Sequence, residues 1–208
     1  MYHFTVPMAL MDYVPVIFFG VTAVLLLRDL YHKMSKAMYA LLAAGSVNVF
    51  LAGFCKATWK LLYAANICDF VALEEMFMPV NSLGLLFVGI SFVGMLCGQR
   101  KTKMLSVAPV AFTSSMPFIM MMVVGLGGLC AGMSVLAAKM KKKPVMILFI
   151  LSFVCAMAMG YMSSRDSTQA WVNWAEQSIN IISQGCLLAG VIILHRAGLK
   201  DWTWEESL

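Results

Sequence analysis

Long apolar stretches punctuated by short polar ones dominate the chain. Six runs are long enough to cross the hydrocarbon layer, which takes about 20 apolar residues in a helix. They cover roughly 8–27, 37–63, 70–97, a stretch within 104–138, 144–161 and 171–194. Arg28 and Asp29 end the first run, Gln99, Arg100 and Lys101 the third, the Lys139–Lys143 cluster the fourth, and His195 and Arg196 the sixth. Pro144 opens the fifth run, a favoured first position of a helix. The second and third runs form a hairpin that turns near Asn66. The expected fold is all-α: a polytopic integral membrane protein of about six transmembrane helices, with residues 1–208 as a single transmembrane domain.

Composition removes most other classes. Of 208 residues, 62% are hydrophobic and 12% are charged, about half the charged share of an ordinary soluble domain. A soluble enzyme, a disordered chain and a nucleic-acid binder are all incompatible with that balance. The formal net charge of +5 is spread over short inter-helical clusters and is no nucleic-acid footprint. The N-terminal MYHFTVPMALMDYV has neither the basic region nor the small-residue cleavage site of a signal peptide, so the first run is expected to be an anchor in its own right. The six cysteines are scattered and the 19 methionines read as flexible core and lipid-facing filler, so neither a metal nor any other cofactor is expected.

Orientation depends on the fourth run. Lysine and arginine accumulate on the cytoplasmic side. Six plain crossings divide the basic residues almost evenly between the two sides, whereas a segment 104–138 that enters and returns collects nearly all of them on one side. That segment holds breakers: Pro109, Ser114-Ser115-Met116-Pro117 and Gly125-Leu126-Gly127-Gly128. A broken or re-entrant helix there is one expectation; six plain spans is the other.

An internal repeat bears on the same question. At an offset of 101, Glu75, Ser82, Gly84, Leu86 and Gly89 coincide with Glu176, Ser183, Gly185, Leu187 and Gly190. At 102, Pro15 and Ile17 fall on Pro117 and Ile119. The halves are then 1–103 and 104–208, each with three helices. Six plain crossings make the second copy inverted, the arrangement of many secondary transporters.

Polar residues inside the runs are the functional signal, because ionised groups at membrane depth are costly and need protein or water around them. Asn48, Lys56 and Lys60 share a face of the second run, beside Trp59. In the third run, Glu74 shares a face with Asn81, and Glu75 with Ser82. Hairpin geometry brings Lys56 level with Glu75, so a Lys56–Glu75 or a Lys60–Glu74 ion pair is expected. In the sixth run Asn173, Glu176, Gln177, Asn180 and Gln184 make a continuous polar stripe, preceded by Trp171 and Trp174 at an interfacial position. The candidate pathway is therefore Asn48, Lys56, Lys60, Glu74, Glu75, Asn81, Glu176, Gln177, Asn180 and Gln184, and it suits a cation or a zwitterion.

Three functions fit. A small transporter or channel would use Glu75 and Glu176 as paired sites. A lipid-directed enzyme would use paired carboxylates as acid and base, yet His3, His32 and His195 stand at span ends and Asp69 and Asp166 in loops, so no catalytic set is expected. A sensor or substrate-binding subunit would need partners, since no P-loop is present. The expected partners are the bilayer, a small solute or ion, and further copies or subunits of a membrane complex, with no nucleic acid. Short loops suggest a bacterial cytoplasmic membrane.

Overall fold

The computed structural model describes residues 5–97, 116–163 and 170–203, nearly all helical, with no strand among them. Eight helices follow in chain order: α1 (Val6–Met11), α2 (Tyr13–Leu30), α3 (Lys36–Ala64), α4 (Val71–Glu75), α5 (Phe77–Leu96), α6 (Met116–Lys139), α7 (Val145–Ser163) and α8 (Ala170–Arg196). They amount to six spans long and apolar enough to cross a membrane, because α1 with α2, and α4 with α5, each form one interrupted span.

Proline explains both interruptions. Pro15 has no N–H to bond the carbonyl four residues back, which is Met11, the last residue of α1. Pro79 does the same to Glu75, the last residue of α4. A proline inside a helix breaks it where that bond is lost. Three other helix ends are closed by Schellman motifs, in which a left-handed residue redirects the chain and the last carbonyls are bonded by the amides beyond. Asn66 takes that conformation after α3, with its amide on Tyr63 and that of Ile67 on Leu62. Lys141 does so after α6 and Gly198 after α8, and the buried Leu199 beyond Gly198 packs into the core. The turn expected near Asn66 is therefore centred on it.

The six spans pack as a ring in chain order, with α8 closing against α2. Pairwise contacts fix the directions. Asp12 meets Lys60, Tyr13 meets Thr58 and Gly53 meets Val16, so α2 and α3 are antiparallel. Gly45 meets Gly84, while Met38 meets Gly94, so α3 and α5 are antiparallel too. Between α5 and α6 the order runs the same way on both helices: Leu85 against Gly125, Gly89 against Gly125 and Gly128, Phe92 against Gly132. These two helices are parallel. Ser152 on Ser183 and Phe149 on Gly190 make α7 and α8 antiparallel. Phe18 against Gly185 and Asp29 against His195 make α8 and α2 parallel.

Each half therefore runs in the same sense, and the third span of each packs parallel against the first span of the other. Among the described residues the two sets of three spans run in the same sense, not the opposed senses an inverted second copy requires. Cys97 and Met116 consequently stand at opposite ends of the bundle. The breakers Pro109, Ser114 and Ser115 lie outside the described residues, as do Arg100, Lys101 and Lys103. Gly125, Gly127 and Gly128 sit inside an unbroken α6, where they serve the α5–α6 crossing. A Cβ on Gly125 would come within 2.3 Å of the Leu85 backbone, so only glycine permits this approach.

Parallel halves separate the charges. Arg28, Lys33, Lys36, Lys139, Lys141, Lys142, Lys143, Arg196 and Lys200 all stand at one end of the ring, termed here the basic end. Asp12, Asp69, Glu74, Glu75 and Glu176 stand toward the other, the acidic end. The positive-inside rule predicts that the basic end lies on the cytoplasmic side. In intact cells, single cysteines at native Cys97 and at Lys142→Cys should both resist a membrane-impermeant thiol reagent, while Ile67→Cys is labelled. Labelling of one of the first two without the other would restore the inverted arrangement.

The interior is also divided lengthwise. The main hydrophobic core lies in the basic half: Phe19 to Leu30 of α2, Leu85 to Met95 of α5, Leu126 to Ala137 of α6, Phe149 of α7, Leu187 to Leu194 of α8, and Trp202. No residue of α1, α4 or the N-terminal half of α8 belongs to it.

Candidate functional site

In the acidic half, outside that cluster, buried apolar side chains such as Met8, Ala57, Trp59 and Val172 are interspersed with polar ones. Lys56 and Lys60 rise from the last turns of α3. Asp12 sits at the break between α1 and α2, and its carboxylate takes Lys60 Nζ at 2.8 Å. Lys60 thus pairs with an acid the sequence reading passed over. The signal was available: a lone aspartate inside an apolar run, three residues before a proline. Tyr13 Oη and Thr58 Oγ1 lie 2.9 Å apart beside this pair and tie α2 to α3. Trp59 Nε1 donates to Asp69 Oδ1 at 2.9 Å, anchoring the loop after α3.

Lys56 is differently placed. Its ammonium lies 4.0 Å from the centroid of the Phe77 ring, a cation–π contact. It is surrounded by protein and lies within the electrostatic reach of Lys60, Asp12, Glu176 and Glu74. It is half-buried, retaining some accessible surface. Among the described residues the expected Lys56–Glu75 and Lys60–Glu74 ion pairs are not formed. Glu75 is exposed, because the break after α4 turns it away from the bundle, whereas Glu74 is half-buried. Glu75 and Glu176, which coincide at the 101-residue offset, thus share an end of the molecule but not an environment.

Glu176 of α8 lies within electrostatic reach of Lys56 of α3, and α2 packs against both helices. Glu176 Oε1, Gln177 Nε2 and Gln184 Oε1 are buried without a hydrogen-bond partner. Asn173 and Gln177 are buried, and Asn180 and Gln184 half-buried. Asn81 on α5 is buried and Asn48 on α3 half-buried, both nearer mid-bundle than the lysines. Of the expected pathway residues, then, Lys56, Glu74, Glu176 and the α8 amides are brought toward one interior, Lys60 is engaged by Asp12, and Glu75 is left out. Trp171 and Trp174 are exposed on the outer face, as an interfacial belt requires.

A second polar constellation, at the basic end, was not legible beforehand. Asp29 of α2 is fully buried, and its Oδ2 lies 2.7 Å from His195 Nδ1 of α8. Arg28 Nη2 lies 2.9 Å from His195 Nε2, and Arg28 Nε is 3.6 Å from Asp29 Oδ1. A guanidinium only donates. Nε2 is therefore the acceptor, and the ring proton is on Nδ1, donated to Asp29. Lys33 adds bonds to the backbone carbonyls of Lys200 and Trp202. This network closes the ring between its first and last spans.

No group of three or more His, Cys, Asp or Glu side chains among the described residues is arranged to hold a metal ion. No protein-family model, no curated protein and no solved structure matches the chain.

Proposed function

We propose that this multi-pass membrane protein binds a small charged solute in a chamber that opens toward its acidic end. The observation that carries the reading is the lengthwise division of the ring. Most of the packed apolar cluster lies in the basic half, while α8 presents buried, unpartnered polar atoms of Glu176, Gln177 and Gln184, with Glu176 within electrostatic reach of Lys56. Buried polar groups are normally hydrogen-bonded, so a set that is not has the character of a ligand site. The interrupted spans support this, since broken helices recur where membrane proteins bind substrates. A lipid-directed enzyme is the weaker reading: Asp29 and His195 are engaged with each other and Arg28 at the far end, away from the acids.

The chamber can be probed directly. A single cysteine at Gln184, about 20 Å along α8 from its first residue at 1.5 Å per residue, should react with a small water-soluble thiol reagent added on the acidic side. Cys130, buried in the α6 core, should stay inert in the same preparation. A Gln184→Cys protein as unreactive as Cys130 would remove the chamber.

Transport is the second reading, and the parallel halves favour it. They meet at two seams, α5 with α6 and α8 with α2, and rocking of parallel repeats about an axis along the membrane normal is a known route to alternating access. Reconstituted vesicles separate the two: a binder protects the Gln184→Cys site without moving solute, a transporter does both. The proposed setting is a bacterial cytoplasmic membrane, basic end inward.

A further inference from the structure

We infer that the α6–α7 turn, at the basic end, binds the phosphate headgroup of an anionic phospholipid. This site is independent of the chamber proposed above.

Lys139, Lys141, Lys142 and Lys143 crowd this turn, and all are exposed. The backbone there is short and fixed. Lys141 stands in the left-handed conformation, at a φ of 59°. The Lys142 amide returns to the Ala137 carbonyl, and the Val145 amide, at the start of α7, bonds the Lys142 carbonyl. Consecutive Cα atoms lie about 3.8 Å apart, so the long stems of Lys141, Lys142 and Lys143 can converge on one phosphate. None of these three forms an ion pair with a described residue. Lys33, at the same end, shows the contrast, since the carbonyls of Lys200 and Trp202 take its ammonium. The acids described at this end are Asp29, buried against His195, and Asp201.

Depth selects a lipid as the source of that phosphate. Ile147, Ile150, Leu151 and Val154 share one outer face of α7, and all four are exposed, Ile147 by 65%. Val135 is exposed on α6, one turn before Lys139. On a membrane span such surface is covered by acyl chains. The chains therefore reach to within about one helical turn, roughly 5.4 Å, of Lys143, and the lysines stand level with the headgroups. Clustered lysines at that level attract anionic lipids. The residue at position 141 points the same way. Glycine is the usual left-handed residue after a helix, as Gly198 is after α8. Lysine at 141 instead places a positive charge where the backbone disfavours a side chain.

The test uses the full chain in nanodiscs of phosphatidylcholine, alone or with a minor share of phosphatidylglycerol. The native protein should unfold at a higher temperature with the anionic lipid and carry phosphatidylglycerol through detergent extraction. Lys141→Gln, Lys142→Gln and Lys143→Gln together should leave unfolding in pure phosphatidylcholine unchanged and abolish the rise. The same variant should cut the retained lipid at least tenfold, since each lysine near an anionic surface contributes about fivefold in binding. Lys141→Gly separates charge from backbone. It should raise the unfolding temperature in phosphatidylcholine, because glycine accepts the left-handed conformation, and still weaken lipid retention. Lys36→Gln with Lys200→Gln removes two charges elsewhere at the basic end and should leave retention within about twofold of native. If that control lowers retention as much as the turn variant does, the whole basic face acts and the inference falls. It falls also if the native protein does not prefer phosphatidylglycerol, or if the turn variant retains as much lipid as the native protein. A rise of the same size from inorganic phosphate in pure phosphatidylcholine would overturn the lipid as the source.

Discussion

His195→Ala should destabilise the protein by about 3 kcal/mol, the upper part of the range for leaving a buried acceptor without its donor, since here the acceptor is a carboxylate. The carboxylate of Asp29 has no accessible surface and its one short contact is His195 Nδ1 at 2.7 Å. Without the imidazole it keeps only Arg28 Nε at 3.6 Å, and a buried charge has lost the donor that held it. The whole α8–α2 seam feels the loss, because this network and the Lys33 bonds to the Lys200 and Trp202 carbonyls are what lock the last span onto the first. Asp29→Asn alone should cost less, since the neutral amide needs no counter-charge. Adding Asp29→Asn to His195→Ala should then recover part of the loss, the double variant being more stable than the sum of the singles predicts. Unfolding of the detergent-solubilised protein, followed by temperature, checks all three. Strict additivity would mean that the pair contributes nothing beyond its separate side chains.

What the sequence made legible follows from how directly each feature depends on local pattern. Span existence depends on apolar length alone, and the six runs recur within a few residues as α1–α2, α3, α4–α5, α6, α7 and α8. The hairpin at Asn66 depends on one residue tolerating a left-handed backbone. Direction depends on something else, namely which helices touch. The Gly125–Leu85 and Gly89–Gly128 approaches that make α5 and α6 parallel are contacts between segments some 40 residues apart, and no periodicity within either helix encodes them. The charge pattern did hold a trace, since only an extra return in 104–138 gathers the basic residues at one end. The site divides in the same way. The α8 stripe of Glu176, Gln177 and Gln184 was readable from helical spacing. The partners were not: Lys60 found Asp12 across α1–α2 rather than Glu74 across the hairpin, and Glu75 was turned outward by a break that Pro79 imposes four residues downstream. Asp29 and His195, each unremarkable at a span end, meet only because α8 closes the ring.

Replacing both charges, Lys56→Met with Glu176→Gln, should stabilise the fold by about 1 kcal/mol, because each partly enclosed charge carries a desolvation cost that no ion pair offsets. Methionine keeps most of the lysine stem and its contact with Phe77, so little packing is lost. Lys56→Met alone should gain less, because Glu176 then has no opposing charge in the interior beyond Lys60, which Asp12 already occupies. The double variant should also leave Gln184→Cys reactive, since the chamber's walls remain. That combination, a higher unfolding temperature with the chamber intact, is the signature of side chains retained at the expense of stability. The opposite result, a double variant less stable than the native protein, would mean that Lys56 and Glu176 hold the acidic half together. The polar interior would then be a structural network in which an enclosed positive and an enclosed negative group supply, at longer range, the cohesion that apolar packing supplies at the basic end.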